Sequence, residues 1–288
     1  MRTDAIADEL QQARAKGPLR EIKIPPCPEL LQRLRAALAG PEPDLGEVQA
    51  VAGADVAMSA TLLRVANSPV HLGDGQRCAT VGQALTRLGL EPAVALMTGF
   101  LVRHAIPVQS PHLQRFWERS HMRALAMAHL ARQIPGLDAD LAASHGLFCH
   151  VGMPVLLQSV RGYGATMVEA AARTDRSFVA TEDANHRTNH AVVGALTVRV
   201  WGLPATLMAS IRLHHDFVLL RERSSDAEVP LLIATGLLAE QLMRQHEGLA
   251  PDADWIAHGA QALDWLQVGA AELQDWADQL EAVFDAEV

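Results

Sequence analysis

Thr80-Val81-Gly82-Gln83-Ala84-Leu85-Thr86-Arg87-Leu88-Gly89 carries a start, a face and a stop for one helix. Threonine is a good N-cap because its hydroxyl accepts from an early backbone N–H. Val81, Leu85 and Leu88 recur at helical spacing and share one face. Gly89 supplies the stop, since glycine enters the left-handed region without steric cost. Pro92 sits early in the next helix, where a missing N–H is tolerated. The same grammar extends toward the N-terminus. Asp55 opens a helix carrying Val56, Leu62, Leu63 and Val65, which stops at the turn chemistry of Asn67-Ser68-Pro69. Asp44 caps a helix through about Ala52, and a helix from Glu29 to about Ala39 presents Leu30, Leu31, Leu34 and Leu38. Residues 3–16 read as a short amphipathic helix ended by Gly17-Pro18. The stretch Ile22-Lys23-Ile24-Pro25-Pro26-Cys27-Pro28 is non-helical, because each proline restricts itself and the residue before it. It is expected to run extended over the first lobe.

Toward the C-terminus a second lobe is expected to begin near Ser110-Pro111, which divides the chain into an N-terminal helix (1–20), a lobe of about 21–108 and a lobe of about 109–288. Helices are expected over Phe116 to Gln133, Asp138 to Ser159, Thr166 to Thr174 and 181–200, the last entered from Thr181-Glu182-Asp183. Trp201-Gly202-Leu203-Pro204 interrupts, and a further helix reaches His214-His215. Val229 to Val288 reads as helical throughout, with Trp255, Trp265 and Trp276 as packing anchors. Strand alternation, repeats and low-complexity linkers are missing from the pattern. The expected fold is all-α, a two-lobed helical bundle.

Composition narrows the functional classes. Of 288 residues 49% are hydrophobic and 20% charged, as in an ordinary globular protein, and only 4% are aromatic. A formal charge of −9 repels nucleic-acid backbones and anionic lipid, so neither partner is expected. Cys27, Cys78 and Cys149 form neither a disulfide framework nor a paired metal motif, which fits a reducing cytoplasm. The N-terminus has no apolar signal core, and no apolar run reaches the roughly 18–20 residues that cross a bilayer.

Several landmarks, in order, resemble the HDOD domain, a bacterial signalling module related to HD and HD-GYP phosphohydrolases. They are the proline-rich entry at 24–28, Leu62-Leu63-Arg64-Val65-Ala66-Asn67-Ser68, the Thr80–Gly89 helix and Trp117-Glu118-Arg119-Ser120. Gly146-Leu147-Phe148-Cys149-His150-Val151-Gly152 follows, then Glu182 before His190, Val193-Gly194-Ala195, Trp201-Gly202-Leu203-Pro204 and His214-His215. The resemblance covers about Ile22 to Asp216 and implies an all-α signalling domain. In the related enzymes the run at 146–152 reads Gly-Leu-Leu-His-Asp-Ile-Gly, and its His-Asp pair holds the catalytic metal. Here Cys149 and His150 stand in that place, and Ser120 falls where a first metal histidine would lie, while His190, His214 and His215 resemble the later histidines.

These replacements bear on the chemistry. A divalent metal in such a site polarises phosphate and lowers the pKa of bound water. The lost aspartate would supply negative charge and bridge two ions; an imidazole does neither. The expectation is therefore a pocket without a cofactor, in which Ser120, Cys149, His150, His190, His214 and His215 are remnants. If a divalent metal is held at all, its ligands are His150, His190, His214 and His215, since zinc accepts N donors. Cys149 among apolar neighbours reads as an inert thiol. His186 and His190, four apart, lack the glutamate of a zinc-peptidase helix, and Gly162-Tyr163-Gly164 is no phosphate loop. Trp117 and Trp201 read as core, the commoner role, with walls of a pocket for a nucleotide base as the alternative. The resemblance implies a non-catalytic signalling output protein that acts through a protein partner or a small ligand such as a nucleotide. The competing reading is a metal-dependent phosphohydrolase of a nucleotide or cyclic dinucleotide.

Overall fold

A computed structural model of the protein describes residues 3–15, 18–72, 76–106, 110–113, 115–173, 175–221 and 227–285. Among these residues the only regular elements are helices. They group into two compact units, Pro26–Pro107 and Met1–Pro25 with Val108–Val288. In chain order the helices are α1 (Thr3–Ala15), α2 (Glu29–Leu38), α3 (Leu45–Gly53), α4 (Val56–Ala66), α5 (Pro69–Leu72), α6 (Val81–Leu88) and α7 (Leu90–Ala105). There follow α8 (Phe116–Ala131), α9 (Ala139–Phe148), α10 (Gly152–Ser159), α11 (Tyr163–Ala172), α12 (Phe178–His186) and α13 (His190–Val200). The last are α14 (Ala205–Leu213), α15 (Glu228–His246), α16 (Ala253–Leu266) and α17 (Ala270–Asp285). No single helix among the described residues is long and apolar enough to cross a membrane.

The smaller unit comprises α2 to α7, and local side-chain chemistry sets its helix starts. Asp44 accepts from the Glu47 N–H at 3.0 Å, and Asp55 from those of Ala57 and Met58 at 2.8 and 2.9 Å. Thr80 and Gln83 form a reciprocal capping box, and Gly89 at φ +82° separates α6 from α7. Asn67 closes the turn after α4: its amide donates to the Cys78 carbonyl at 2.9 Å and its oxygen accepts from the Cys78 N–H at 2.7 Å.

The larger unit holds the site. Residues 1–20, read above as a helix set apart, contribute α1, whose Ile6 and Leu10 are buried. Arg199 donates to the Ala7 carbonyl at 2.6 Å and Arg212 to Glu9, which fixes α1 on α13 and α14. The proline-rich entry also differs from expectation, because its first half lies on this unit and not on the first lobe. The Lys23 N–H donates to Ser159 Oγ, and the Trp201 indole N–H donates to the Pro25 carbonyl at 2.8 Å. Backbone groups without helical partners are thereby satisfied.

Three expected long helices are broken. The 138–159 segment divides at Cys149–Val151, between α9 and α10. Its flanking glycines show why the chain bends there: a Cβ on Gly146 would meet the Arg123 carbonyl at 2.6 Å, and one on Gly152 the His190 carbonyl at 2.1 Å. Thus α9 touches α8 backbone to backbone, and α10 touches α13. The 181–200 segment starts earlier, capped by Ser177, and breaks at Arg187, which adopts φ +56°. Asn189 then caps α13, so His186 and His190 do not share a helix. The tail divides at Gly248 (φ +68°) and Gln267 (φ +59°), with Asp252 capping α16. The expected ends at Lys16-Gly17, Thr174 and 286–288 fall outside the described residues.

Candidate metal and ligand site

A cavity of about 710 Å³ opens in the larger unit. From α8 it receives Phe116, Arg119 and Arg123, which share one face at spacings of three and four. Ser120 lies one step off that face and does not line the cavity; its hydroxyl donates to the Phe116 carbonyl at 2.9 Å. Of the residues around Ser120, the arginines at 119 and 123 are the ones that face the cavity.

Cys149 lines the cavity but offers it nothing reactive. It is 2% exposed, its thiol points at the Gly146 carbonyl, and burial pushes its pKa up against the pull of Arg123. Arg123 is 4% exposed and forks onto Glu240 of α15, at 3.2 Å from Nε and 2.8 Å from its terminal nitrogen. Burial alone would raise the Glu240 carboxyl, but Arg123 and Arg119 outweigh it and hold the group below its ordinary value. Arg119 also pairs with Glu247. This wall of the cavity is a satisfied ion-pair ladder. His145, buried behind it, bonds Ser210 Oγ at 2.9 Å; burial and then Arg123 hold its pKa down to about 3.

The opposite wall brings together His150, His190, His214 and His215, whose candidate ligand nitrogens all lie within 4.8 Å of one another. His150 comes from the bend after α9, His190 opens α13, and His214 and His215 end α14. Each of the last three is held from behind. His190 Nδ1 lies 2.6 Å from Glu182 Oε2, His214 Nδ1 lies 2.6 Å from the Ile211 carbonyl, and His215 Nδ1 lies 2.7 Å from Asp254 Oδ2. A carbonyl and two ionised carboxylates have no proton to give, so each Nδ1–H donates and Nε2 is the nitrogen turned to the cluster. His190 Nε2 stands 3.1 Å from His214 Nε2 and 3.2 Å from His215 Nε2.

The support continues outward. Glu182 is fully buried and accepts from the Tyr163 hydroxyl as well as from the His190 backbone N–H. Burial would raise its carboxyl; His190 outweighs that and lowers it, as His215 does for Asp254. Burial pushes the pKa values of His150 and His214 well below the usual imidazole range, followed by Arg123 for His150 and by His215 for His214. His186 bonds Thr166 instead, and Trp201 is buried in the core.

Sequence reasoning singled out the histidines but missed their holders. Glu182 served there only as a landmark, and Asp254 lies 39 residues beyond His215 with no local spacing to betray it. The Arg123–Glu240 pair spans 117 residues. The single legible hint was the run of arginines on one face of α8.

The larger unit thus gathers a glycine-flanked bend, the histidine that opens α13 and the two histidines after α14. The HDOD domain model matches residues 24–217, and the chain belongs to the HDOD family. It is 24% identical over 266 residues to an uncharacterised protein of Treponema pallidum (strain Nichols), covering 92% of this chain and 50% of that protein. Among solved structures it resembles a Marinobacter aquaeolei VT8 protein provisionally named for signal transduction (TM-score 0.78, 20% identity, 99% of this chain and 64% of that one). It also resembles a Shewanella amazonensis SB2B protein provisionally named a phosphohydrolase (TM-score 0.70, 21% identity, 93% and 94% covered). A third is a Geobacter sulfurreducens HDOD domain protein of unknown function (TM-score 0.67, 18% identity, 97% and 98% covered). These likenesses establish a common fold. The chain spans half of the Treponema protein and less than two thirds of the Marinobacter one.

Proposed function

We propose that this protein is a cytoplasmic signalling output domain that binds a small anionic ligand in its cavity and passes on occupancy to a protein partner without turning the ligand over. The observation that carries the reading is the Arg123–Glu240 ion pair beside the inert Cys149 thiol. It stands beside Cys149, the position that a metal-bound histidine takes in the related hydrolases. A guanidinium already paired there balances charge but activates no water.

Anionic ligands are favoured by the lining. In a chain of net −9 the cavity lining gathers Arg115, Arg119, Arg123, Arg173, Arg176 and Arg244. The first three pair with Glu240 and Glu247 and the next two with Glu169, but each guanidinium has five N–H donors, so donors remain for an anion. Phe116, Phe178 and Phe217 supply apolar surface for the body of such a ligand, which suits a nucleotide. Ligand binding biases whichever conformations differ in affinity, and a partner reads that bias.

A second reading, metal-dependent phosphohydrolysis, has its own support in the converging Nε2 atoms. The four histidines fit a transition ion, which when bound supplies Lewis acidity and a more acidic water. The chain's contribution would be to hold the imidazoles from Glu182, Ile211 and Asp254 and to receive phosphate at the arginines. One experiment separates the readings. Full-length protein loaded with zinc or manganese is offered phosphomonoesters, nucleotides and cyclic dinucleotides, while phosphate release and thermal stability are followed. A raised melting temperature without release supports binding alone, because a ligand of the folded state stabilises it. Metal-dependent release that vanishes in His190→Ala would overturn the proposal.

A further inference from the structure

The histidine wall raises a problem that the ion-pair wall does not. With the three Nδ1–H groups donating outward, two pairs of Nε2 atoms face each other at 3.1 and 3.2 Å. Such an arrangement is repulsive unless a proton or a cation sits among the nitrogens. Two nitrogens on a tetrahedral zinc, with bonds of about 2.0–2.1 Å, stand about 3.3 Å apart. The observed separations are close to that edge. Histidines that ligate metal also characteristically donate their other nitrogen to a carboxylate or carbonyl, as all three do here.

We infer that His190, His214 and His215 form a tripod for one zinc-class ion, with His150 the fourth nitrogen, and that this centre is mononuclear and selects against magnesium and manganese. Selection follows from the donors. Borderline ions accept an all-imidazole set, whereas magnesium and manganese favour oxygen. The two carboxylates nearest the cluster, Glu182 and Asp254, face Nδ1 and not the Nε2 centre. A second ion has no place on the far wall, where the Arg123 guanidinium already carries the positive charge. Glu182 and Asp254 are positioning residues: they fix which nitrogen of each ring carries the proton.

The test uses the full chain, stripped with chelator and titrated with Zn²⁺, Co²⁺, Mg²⁺ and Mn²⁺. One Zn²⁺ per chain should bind, and Co²⁺ should give the intense visible bands of a four-coordinate nitrogen site. His215→Ala, at a partly exposed position, should abolish both signals while keeping native helical circular dichroism. Asp254→Ala should weaken Zn²⁺ affinity about 10–100-fold, the effect of removing an outer partner, while Cys149→Ser leaves it unchanged. Failure to bind zinc in stoichiometric amount, two ions per chain, or displacement by millimolar Mg²⁺ or Mn²⁺ would overturn the inference. Phosphate release by the zinc-loaded protein removes only the non-catalytic reading above, and absence of zinc removes only this one.

Discussion

The two walls of the cavity handle burial of polar groups in opposite ways. On the α8–α15 wall, Arg123 meets Glu240 and Arg119 meets Glu240 and Glu247, so each of these buried charges has its complement. On the α13–α14 wall the outer nitrogens are satisfied and the inner ones are aimed at one another. The first wall is closed chemistry, stable in itself. The second is open chemistry that waits for a cation. The difference shows that two walls of one cavity can be settled independently, because each is held by its own outer partners.

The largest expected effect comes from breaking the closed wall. Glu240→Leu leaves the Arg123 guanidinium buried without a carboxylate and should cost about 3–5 kcal/mol in urea unfolding. The double variant Arg123→Met with Glu240→Leu should recover most of that loss; no recovery would mean that the pair is not the cause. Gly152→Ala attacks the seam between α10 and α13. Its methyl would meet the His190 carbonyl at 2.1 Å, so α10 must part from α13 at a cost of about 1–3 kcal/mol. An unchanged melting temperature would contradict that backbone contact.

Acid tests the buried imidazoles in protein free of metal. His145 has its folded-state pKa lowered to about 3, so the unfolded chain takes up its proton first as pH falls. Stability should therefore decline below about pH 6.5, with His145 alone contributing a slope of up to about 1.4 kcal/mol per pH unit. The depressed pKa values of His150 and His214 act in the same direction. His145→Gln should flatten the profile, and a profile as steep as the parent's would contradict the assignment. The smallest effect is expected of Cys149→Ser. A hydroxyl still reaches the Gly146 carbonyl, so the change should stay within about 1 kcal/mol in thermal unfolding. A larger loss would give the thiol a role that its inward bond does not suggest.

How much of this was legible in the sequence follows the range of each interaction. The caps at Asp44, Asp55 and Thr80 depend on backbone three residues away, and all three fall where the sequence places them. The set His150, His190, His214 and His215 was legible through the family's ordered motifs, and the fold gathers it. The breaks at Cys149 and Arg187 were not legible, since apolar periodicity continues through both; close helix contacts and a left-handed residue make them. Ser120 lies one step from Arg119, which on a helix is about 100° and turns it off the lining face. Asp254, Glu240 and the seat of Pro25 under Trp201 depend on tertiary distance alone.

Tyr163 is the only tyrosine in the chain, and its hydroxyl bonds the carboxylate that holds His190. The protein thus carries a built-in optical and magnetic reporter two hydrogen bonds behind the Nε2 cluster. A single isotope-labelled amino acid would yield one ring signal, free of overlap, through which occupancy of the cavity can be watched in the unmodified chain.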